Sequence, residues 1–306
     1  MNISPLLGSS TPERPGPGAL PLDLLHALEI EVGRRLAGML SGDYRSSRYG
    51  DGVELAQVRP YEAGDDVRQM EWNVTARTGL PHVRVNLAER ALATWLVLDT
   101  SPSMQFGTAD RRKADVADGV AIATGHIATR RGNRLGVTTF GDASPVTLPP
   151  TQGRVGLIGL LSTLQRAPEE SHVGATSLGE VLRRTGAIAR QRGIVVIVSD
   201  FRGPLDWRKP LLELMSRHEV RAVEIRDPRE QELPDIGEVW LVDPETGRQI
   251  RVDTSSTGLR ERFAVAAAEE RTGVARVLSA LGVPHVVLST SGDWLRAYAG
   301  FLGARR

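Results

Sequence analysis

The stretch WLVLDTSPSMQFG, residues 95–107, decides the fold. Four consecutive apolar residues, Trp95 to Leu98, end in Asp99, and hydroxyls follow at Ser101 and Ser103. A strand that is apolar on every residue is buried on both faces, as strands of a parallel sheet are. A second stretch repeats the pattern: Ile194–Val198 is continuously apolar and is followed by Ser199 and Asp200. In open α/β sheets, ligands lie beyond the carboxyl ends of the strands. Two carboxylates delivered to that rim are therefore the first functional signal.

Outward from this stretch, strand and helix patterns alternate. A strand over 93–98 precedes a helix over about 110–131 and a strand over 134–140. A short edge piece at 145–148 leads to a helix over about 153–165, and a second helix over about 177–191 leads into the strand 194–199. A helix (about 208–217) and a strand (220–225) follow, and EVWLVDPETGRQIRV, 238–252, reads as a hairpin with its turn at Pro-Glu-Thr-Gly. A long helix (about 257–281), a strand (285–288) and a last helix (about 292–302) complete the pattern. This is the α/β class, with a doubly wound, mostly parallel sheet covered on both faces.

Before residue 92 the patterning differs. Residues 1–20 are rich in Pro, Gly and Ser and are expected to form a disordered tail. Leu25, Leu28, Val32, Leu36 and Met39 recur at helical spacing, so an amphipathic N-terminal helix is expected there. Residues 41–90 are more polar and suit an irregular segment with a few strands. Residues 21–91 are accordingly expected to pack on a main domain spanning 92–303, with the hairpin at about 238–252 as an insertion.

Composition narrows the chemistry. The 306 residues carry 38 basic and 37 acidic side chains, for a formal charge of +1. No global field therefore draws the chain to nucleic acid or anionic lipid. Arginine clusters such as Arg130-Arg131 and Arg183-Arg184 lack the interleaved aromatics that single-stranded nucleic acid needs. Cysteine is absent, which excludes disulfides, thiolate metal sites and cysteine nucleophiles. Apolar runs are of strand length, well short of the roughly 20 residues that cross a bilayer. The N-terminus does not read as a secretory signal. No membrane insertion and a cytoplasmic location are expected.

The opening motif admits several roles. Asp and Ser are good helix caps, but a cap needs one oxygen, and Thr108 or Asp110 stands closer to the helical periodicity. As a phosphotransfer nucleophile, Asp99 would want a second acid two residues on, where Ser101 stands and cannot serve as a general acid near neutral pH. Ser101 or Ser103 as a nucleophile would need a base, and none of the six histidines occupies a recognisable triad setting. There is no Gly-x-x-x-x-Gly-Lys phosphate loop and no dinucleotide fingerprint after a strand. A metal seat asks for further oxygens, and the chain offers Thr176, in a Gly-containing loop before a helix, and Asp200. Asp99, Ser101, Ser103, Thr176 and Asp200 would form an oxygen-only site suited to Mg²⁺, Mn²⁺ or Ca²⁺ rather than zinc or copper.

Asp-x-Ser-x-Ser after the first strand, a later loop Thr and an Asp ending a later apolar strand resemble a von Willebrand factor A domain and its metal-ion-dependent adhesion site. The resemblance covers roughly 92–303. It implies direct ion contacts from Ser101, Ser103 and Thr176, with Asp99 and Asp200 acting partly through water. Phe201 departs from it, because many such domains carry Gly there. The segment VRPYEAGDDVRQMEWNVTARTG, 58–79, resembles the signature of domain-of-unknown-function family 58 at Arg59, Tyr61, Gly64, Asp65, Arg68, Trp72 and Arg77. A structural role for it would make Gly64-Asp65-Asp66 a turn, bury the Trp72 ring and pair Arg68 or Arg77 with nearby carboxylates.

Members of that family place this segment before a von Willebrand A domain, and their genes commonly neighbour a MoxR-type AAA+ ATPase. Many begin with two membrane helices, so this chain resembles the shorter, soluble branch. The resemblance implies a non-enzymatic, magnesium-dependent binding module. Its partner would be a MoxR-type ATPase or that ATPase's client proteins.

Overall fold

The computed structural model describes residues 49–87, 92–130, 133–142, 144–164, 176–242 and 247–303. The expected tail at 1–20 and the expected helix carrying Leu25 to Met39 lie outside the described residues. The chain divides into two compact units; residues 49–87 belong to one and 92–303 to the other.

In the first unit, β1 (Tyr49–Pro60) pairs antiparallel with β2 (His82–Leu87), Arg59 opposite Val83 and Pro60 opposite His82. Between them lie a 3₁₀ turn, Val67–Gln69, and the short helix α1 (Trp72–Thr78). Gly64, at φ +112°, makes the expected turn, a conformation that a side chain would strain. Asp65 caps that turn by accepting the Glu62 amide and both terminal nitrogens of Arg59, at 2.6 and 2.9 Å. One expectation for this segment fails and another is met only in part. Trp72 is 69% exposed rather than buried. Arg77 donates to the Asn73 carbonyl within α1 and its charge also acts on Glu71, while the close carboxylate pairs are Arg59 with Asp65 and Arg84 with Glu71. Arg59 and Arg84 sit on the two strands, and their acids lie in the connection between those strands, Asp65 in the turn and Glu71 at the cap of α1.

In the second unit, β3 (Ala93–Asp99) is followed by α2 (Lys113–Arg130), β4 (Arg134–Phe140), β5 (Thr147–Gln152) and α3 (Gly153–Leu164). Next come α4 (Leu178–Ile188), β6 (Gly193–Ser199), α5 (Arg208–Met215) and β7 (Glu219–Arg226). The hairpin strands β8 (Glu238–Val242) and β9 (Gln249–Asp253) precede α6 (Thr257–Ala280), β10 (His285–Ser289) and α7 (Trp294–Gly303). The six-stranded sheet runs β10-β7-β6-β3-β4-β5. All its neighbours are parallel except β5, which closes one edge antiparallel to β4. The expected edge piece is thus longer and shifted, to 147–152. It accommodates Pro149 and Pro150 because they fall where the β4–β5 register slips, between the Leu135–Thr151 and Val137–Leu148 pairs, and the ladder there asks for neither amide. The hairpin forms as expected, Val239 opposite Val252 and Leu241 opposite Ile250; its turn, 243–246, lies outside the described residues.

Every residue of β3 and β6 is buried. Alternation sends Trp95, Val97, Val195 and Ile197 to one face, where they pack with Leu182, Leu211 and Leu278 of α4, α5 and α6 and with Trp207 just before α5. Leu96, Leu98, Val196 and Val198, also buried, point to the other face, where α2 lies beside α3 and α7. Gly119 of α2 allows that layer to close: a Cβ there would sit 2.4 Å from the Trp294 ring of α7.

Candidate metal centre

The chain leaves β3 toward β4 on one side and later returns to lay β6 on the other, so the strand order reverses between β3 and β6. That switch point leaves a crevice at the carboxyl ends. Asp99 ends β3, and Asp200 follows β6 directly. Both side chains are nearly buried, at 7% exposure.

Four of the five expected site residues join one hydrogen-bonded set. Ser101 and Ser103 hydroxyls stand 3.1 Å apart. Ser103 Oγ donates to Asp200 Oδ2 at 2.8 Å. The Ser101 amide donates to Asp99 Oδ1 at 2.9 Å, and Ser199 Oγ donates to Asp99 Oδ2 at 2.5 Å. The motif then continues as a 3₁₀ turn, Pro102–Gln105, with Ser101 at its cap position but making no side-chain capping bond. The hydroxyl that a cap would use faces Ser103 instead.

Thr176 reaches the same rim through its backbone. Gly141 N–H donates to the Thr176 carbonyl at 3.0 Å, and Thr176 N–H donates to the Asp142 carbonyl at 3.2 Å. Gly141, at the end of β4, lies against Ser101, so closely that a Cβ would come within 2.7 Å of it. Thr100 Oγ1 donates to Asp142 at 3.0 Å, which completes the bracket between the β3 and β4 exits.

The loop after the motif is tied down from the opposite side. Asp227, fully buried beyond β7, accepts from the Thr108 amide at 2.8 Å, the Thr108 hydroxyl at 2.5 Å and the Thr290 hydroxyl at 2.7 Å. These bonds hold its carboxyl below the usual range despite burial, which alone would raise it. Thr108 and Asp110 therefore do not cap α2. Asp110 accepts from Gly292, and it is Asp115 that reaches back to the Arg112 amide at 2.8 Å and anchors the helix start at Lys113.

Phe201, the departure noted in the sequence, has φ +55°, and no other non-glycine among the described residues has a positive φ. Glycine is favoured at such a position because a Cβ strains the left-handed region. Here packing holds the strain. The Phe201 ring is 2% exposed and meets Trp207 edge-on, centroids 5.7 Å apart. Its amide donates to Ser199 Oγ at 2.9 Å, so one serine serves both Asp99 and the strained turn. The loop after Asp200 keeps its left-handed turn without the glycine.

The electrostatics are asymmetric. Burial and the neighbouring Asp200 charge push Asp99 from the ordinary 3.8 to about 7. Asp200 is also penalised by burial, yet the Lys113 ammonium, 2.7 Å away, holds it below the usual range. Lys113 also donates to Glu230 at 2.6 Å and is itself fully buried. Lys113, Glu230, Ser199 and Asp227 are the residues that sequence reasoning missed. A lysine is one of only two in the chain, Lys113 and Lys209, and that rarity was the available signal.

The donor set fits a hard cation in its chemistry. Two cis ligands of an octahedral Mg²⁺, each at about 2.1 Å, stand about 3.0 Å apart. The Ser101–Ser103 and Ser103–Asp200 oxygens stand 3.1 and 2.8 Å apart. Among the described residues, no group of three or more His, Cys, Asp or Glu side chains is placed to hold a metal. Hydroxyls would have to complete the shell. Beside the set opens a cavity of about 200 Å³ lined by Asp99, Thr100, Gln105, Asp118, Asp142 and Ser144 among others.

The molecule is thus a doubly wound α/β protein with an oxygen-lined rim at its topological switch point. The chain belongs to the family described as "Protein of unknown function DUF58", which matches residues 57–273. It is 42% identical over 287 residues to Rv1480 of Mycobacterium tuberculosis H37Rv, covering 92% of this chain and 89% of that one. Among solved structures it is similar to BatB from Bacteroides thetaiotaomicron, with 15% identity, TM-score 0.42, and coverage of 69% of this chain and 97% of that one. It is also similar to a von Willebrand factor type A protein from Catenulispora acidiphila, with 13% identity, TM-score 0.38, and coverage of 72% and 43%. The doubly wound topology is established by this chain's own strand order. Among the described residues, no helix is long and apolar enough to cross a membrane.

Proposed function

We propose that this chain is a non-enzymatic protein-binding module that uses a divalent ion, Mg²⁺ by preference, at the rim formed by Asp99, Ser101, Ser103, Thr176 and Asp200. The observation that carries this reading is the hydrogen-bonded set at the switch point, in which the Ser101 amide holds Asp99 and the hydroxyls of Ser101 and Ser103 lead on to Asp200. When bound, an ion held largely by neutral hydroxyls supplies an electrophilic position that a carboxylate of another molecule can fill. The chain's own residues orient the set. Ser199 and the Ser101 amide fix Asp99, the Arg202 amide fixes Asp200 Oδ1 at 3.0 Å, and Gly141 keeps the β4 exit close to Ser101.

The resemblance of 58–79 to a family whose genes accompany MoxR-type ATPases supports such an ATPase, or a client that it remodels, as the partner. The role would be that of an adaptor or co-chaperone. The test is a pull-down of the cognate MoxR-type ATPase by this chain with and without EDTA, repeated with Asp99→Ala. Capture that needs the divalent ion and is lost in the variant is expected. Capture indifferent to both sinks the docking mechanism.

A further inference from the structure

Resting on that reading, we infer that Lys113 is a built-in counter-ion of the ion seat. Its ammonium holds Asp200 and Glu230 in place without a divalent ion and weakens the seat's grip on an ion that arrives. Lys113 is fully buried, and its Nζ lies 2.7 Å from Asp200 Oδ2 and 2.6 Å from Glu230 Oε1. Ser103 Oγ donates to the same Asp200 oxygen. One oxygen of the seat is therefore already shared between a cation and a hydroxyl.

A buried ion is costly unless paired, and a pair of buried carboxylates facing each other is costlier still. Glu230 also has the half-exposed Arg202 guanidinium 3.5 Å away, but the charge that Asp200 and Glu230 share in the buried interior is the Lys113 ammonium. The residue type is informative. The chain has 38 basic residues but only two lysines, and one of them stands here. An ammonium is a compact charge that fits between two carboxylates, whereas a guanidinium is a planar fork.

Lys113 also closes the motif loop at its other end. Its amide donates to the Phe106 carbonyl at 2.9 Å, while Glu230 is locked by accepting the Asp227 amide at 3.0 Å. The ammonium therefore clamps the loop after Ser103 to the exit of β7. A purely structural clamp and a counter-ion make different predictions. Removing a clamp only destabilises; removing a counter-ion also raises the attraction of the remaining carboxylates for a divalent cation.

The test is Mn²⁺ titration of the full chain by electron paramagnetic resonance, alongside thermal melts with EDTA or with Mg²⁺. The proteins are wild type, Lys113→Met and the double variant Lys113→Met/Glu230→Gln. The double variant removes one carboxylate together with the ammonium, so it carries the measurement where the single variant does not fold. Mn²⁺ binding tighter by about tenfold or more is expected in the variants. EDTA in place of Mg²⁺ is expected to lower the melting temperature of Lys113→Met by more than that of the wild type. Wild-type binding with equal or weaker binding in the variants overturns the counter-ion and leaves the metal-docking reading standing. Binding by the variants alone supports the counter-ion and overturns metal docking by the native chain. Absence of binding in all three proteins overturns both.

Discussion

Phe201 shows how a single residue departs from a pattern without losing the structure. Its φ of +55° would favour glycine, but its ring fills a buried site against Trp207. Phe201→Ala should cost about 3–5 kcal/mol, since the strain stays and a cavity appears. Phe201→Gly should cost less by about 1 kcal/mol, because the left-handed strain is relieved. Urea denaturation of both variants measures the difference; a glycine variant no more stable than the alanine one would contradict the strain argument. Asp118 offers a second measurement, on pH. Burial, reinforced by the Asp115 charge, raises it from the ordinary 3.8 to about 7. The folded chain thus keeps a proton that the unfolded chain has released, so stability falls as pH climbs from 3.8 through about 7. Asp118→Asn removes this penalty. Its stability relative to wild type should grow by about 1–2 kcal/mol between about pH 5 and pH 8, after allowing for its partial exposure. A constant difference across that range would place the residue in solvent.

Among the elements, glycines mark where two of them must approach. Gly141, at φ +90°, sits against Ser101, and Gly119 sits under the Trp294 ring. Gly141→Ala should destabilise by about 1–3 kcal/mol and displace Ser101. It should therefore weaken Mn²⁺ binding as well. Gly119→Ala should destabilise to a similar degree through the α2–α7 contact, while Mn²⁺ binding stays intact. Thermal melts paired with Mn²⁺ titration separate the two. The elements themselves were largely legible in the sequence, because Trp95–Leu98 and Ile194–Val198 are too apolar for anything but two-sided burial. The deviations have local causes. Asp115 anchors the start of α2 at Lys113, the two prolines of β5 fall where its register against β4 slips, and Trp72 is exposed where a buried ring was expected.

For the molecule as a whole, stability should be graded from the sheet centre outward. Strands β3 and β6 are completely buried and flanked by strands on both sides, so their amides should exchange only on global unfolding. Among the described residues the β8–β9 hairpin pairs with no third strand, and Trp240, Val242 and Ile250 are about half exposed. Its amides should exchange far sooner. Hydrogen exchange read by mass spectrometry checks the ranking; equal protection of hairpin and sheet centre would contradict it.

What the sequence determined by itself was the class of fold and the acids at its rim. Runs of consecutive apolar residues and their alternation with helical periods are local properties, written within ten or twenty residues. The motif residues Asp99, Ser101 and Ser103 were legible for the same reason, since they are neighbours in the chain. The tertiary structure alone decided which distant groups meet them. Ser199 reaches Asp99 across 100 positions, and Lys113 and Glu230 meet across 117. No local pattern records such pairs, because they follow from strand order and from which faces the packing buries. The rim's balance of charge, with Asp99, Asp200 and Glu230 gathered about one buried ammonium, is therefore a property of the folded chain.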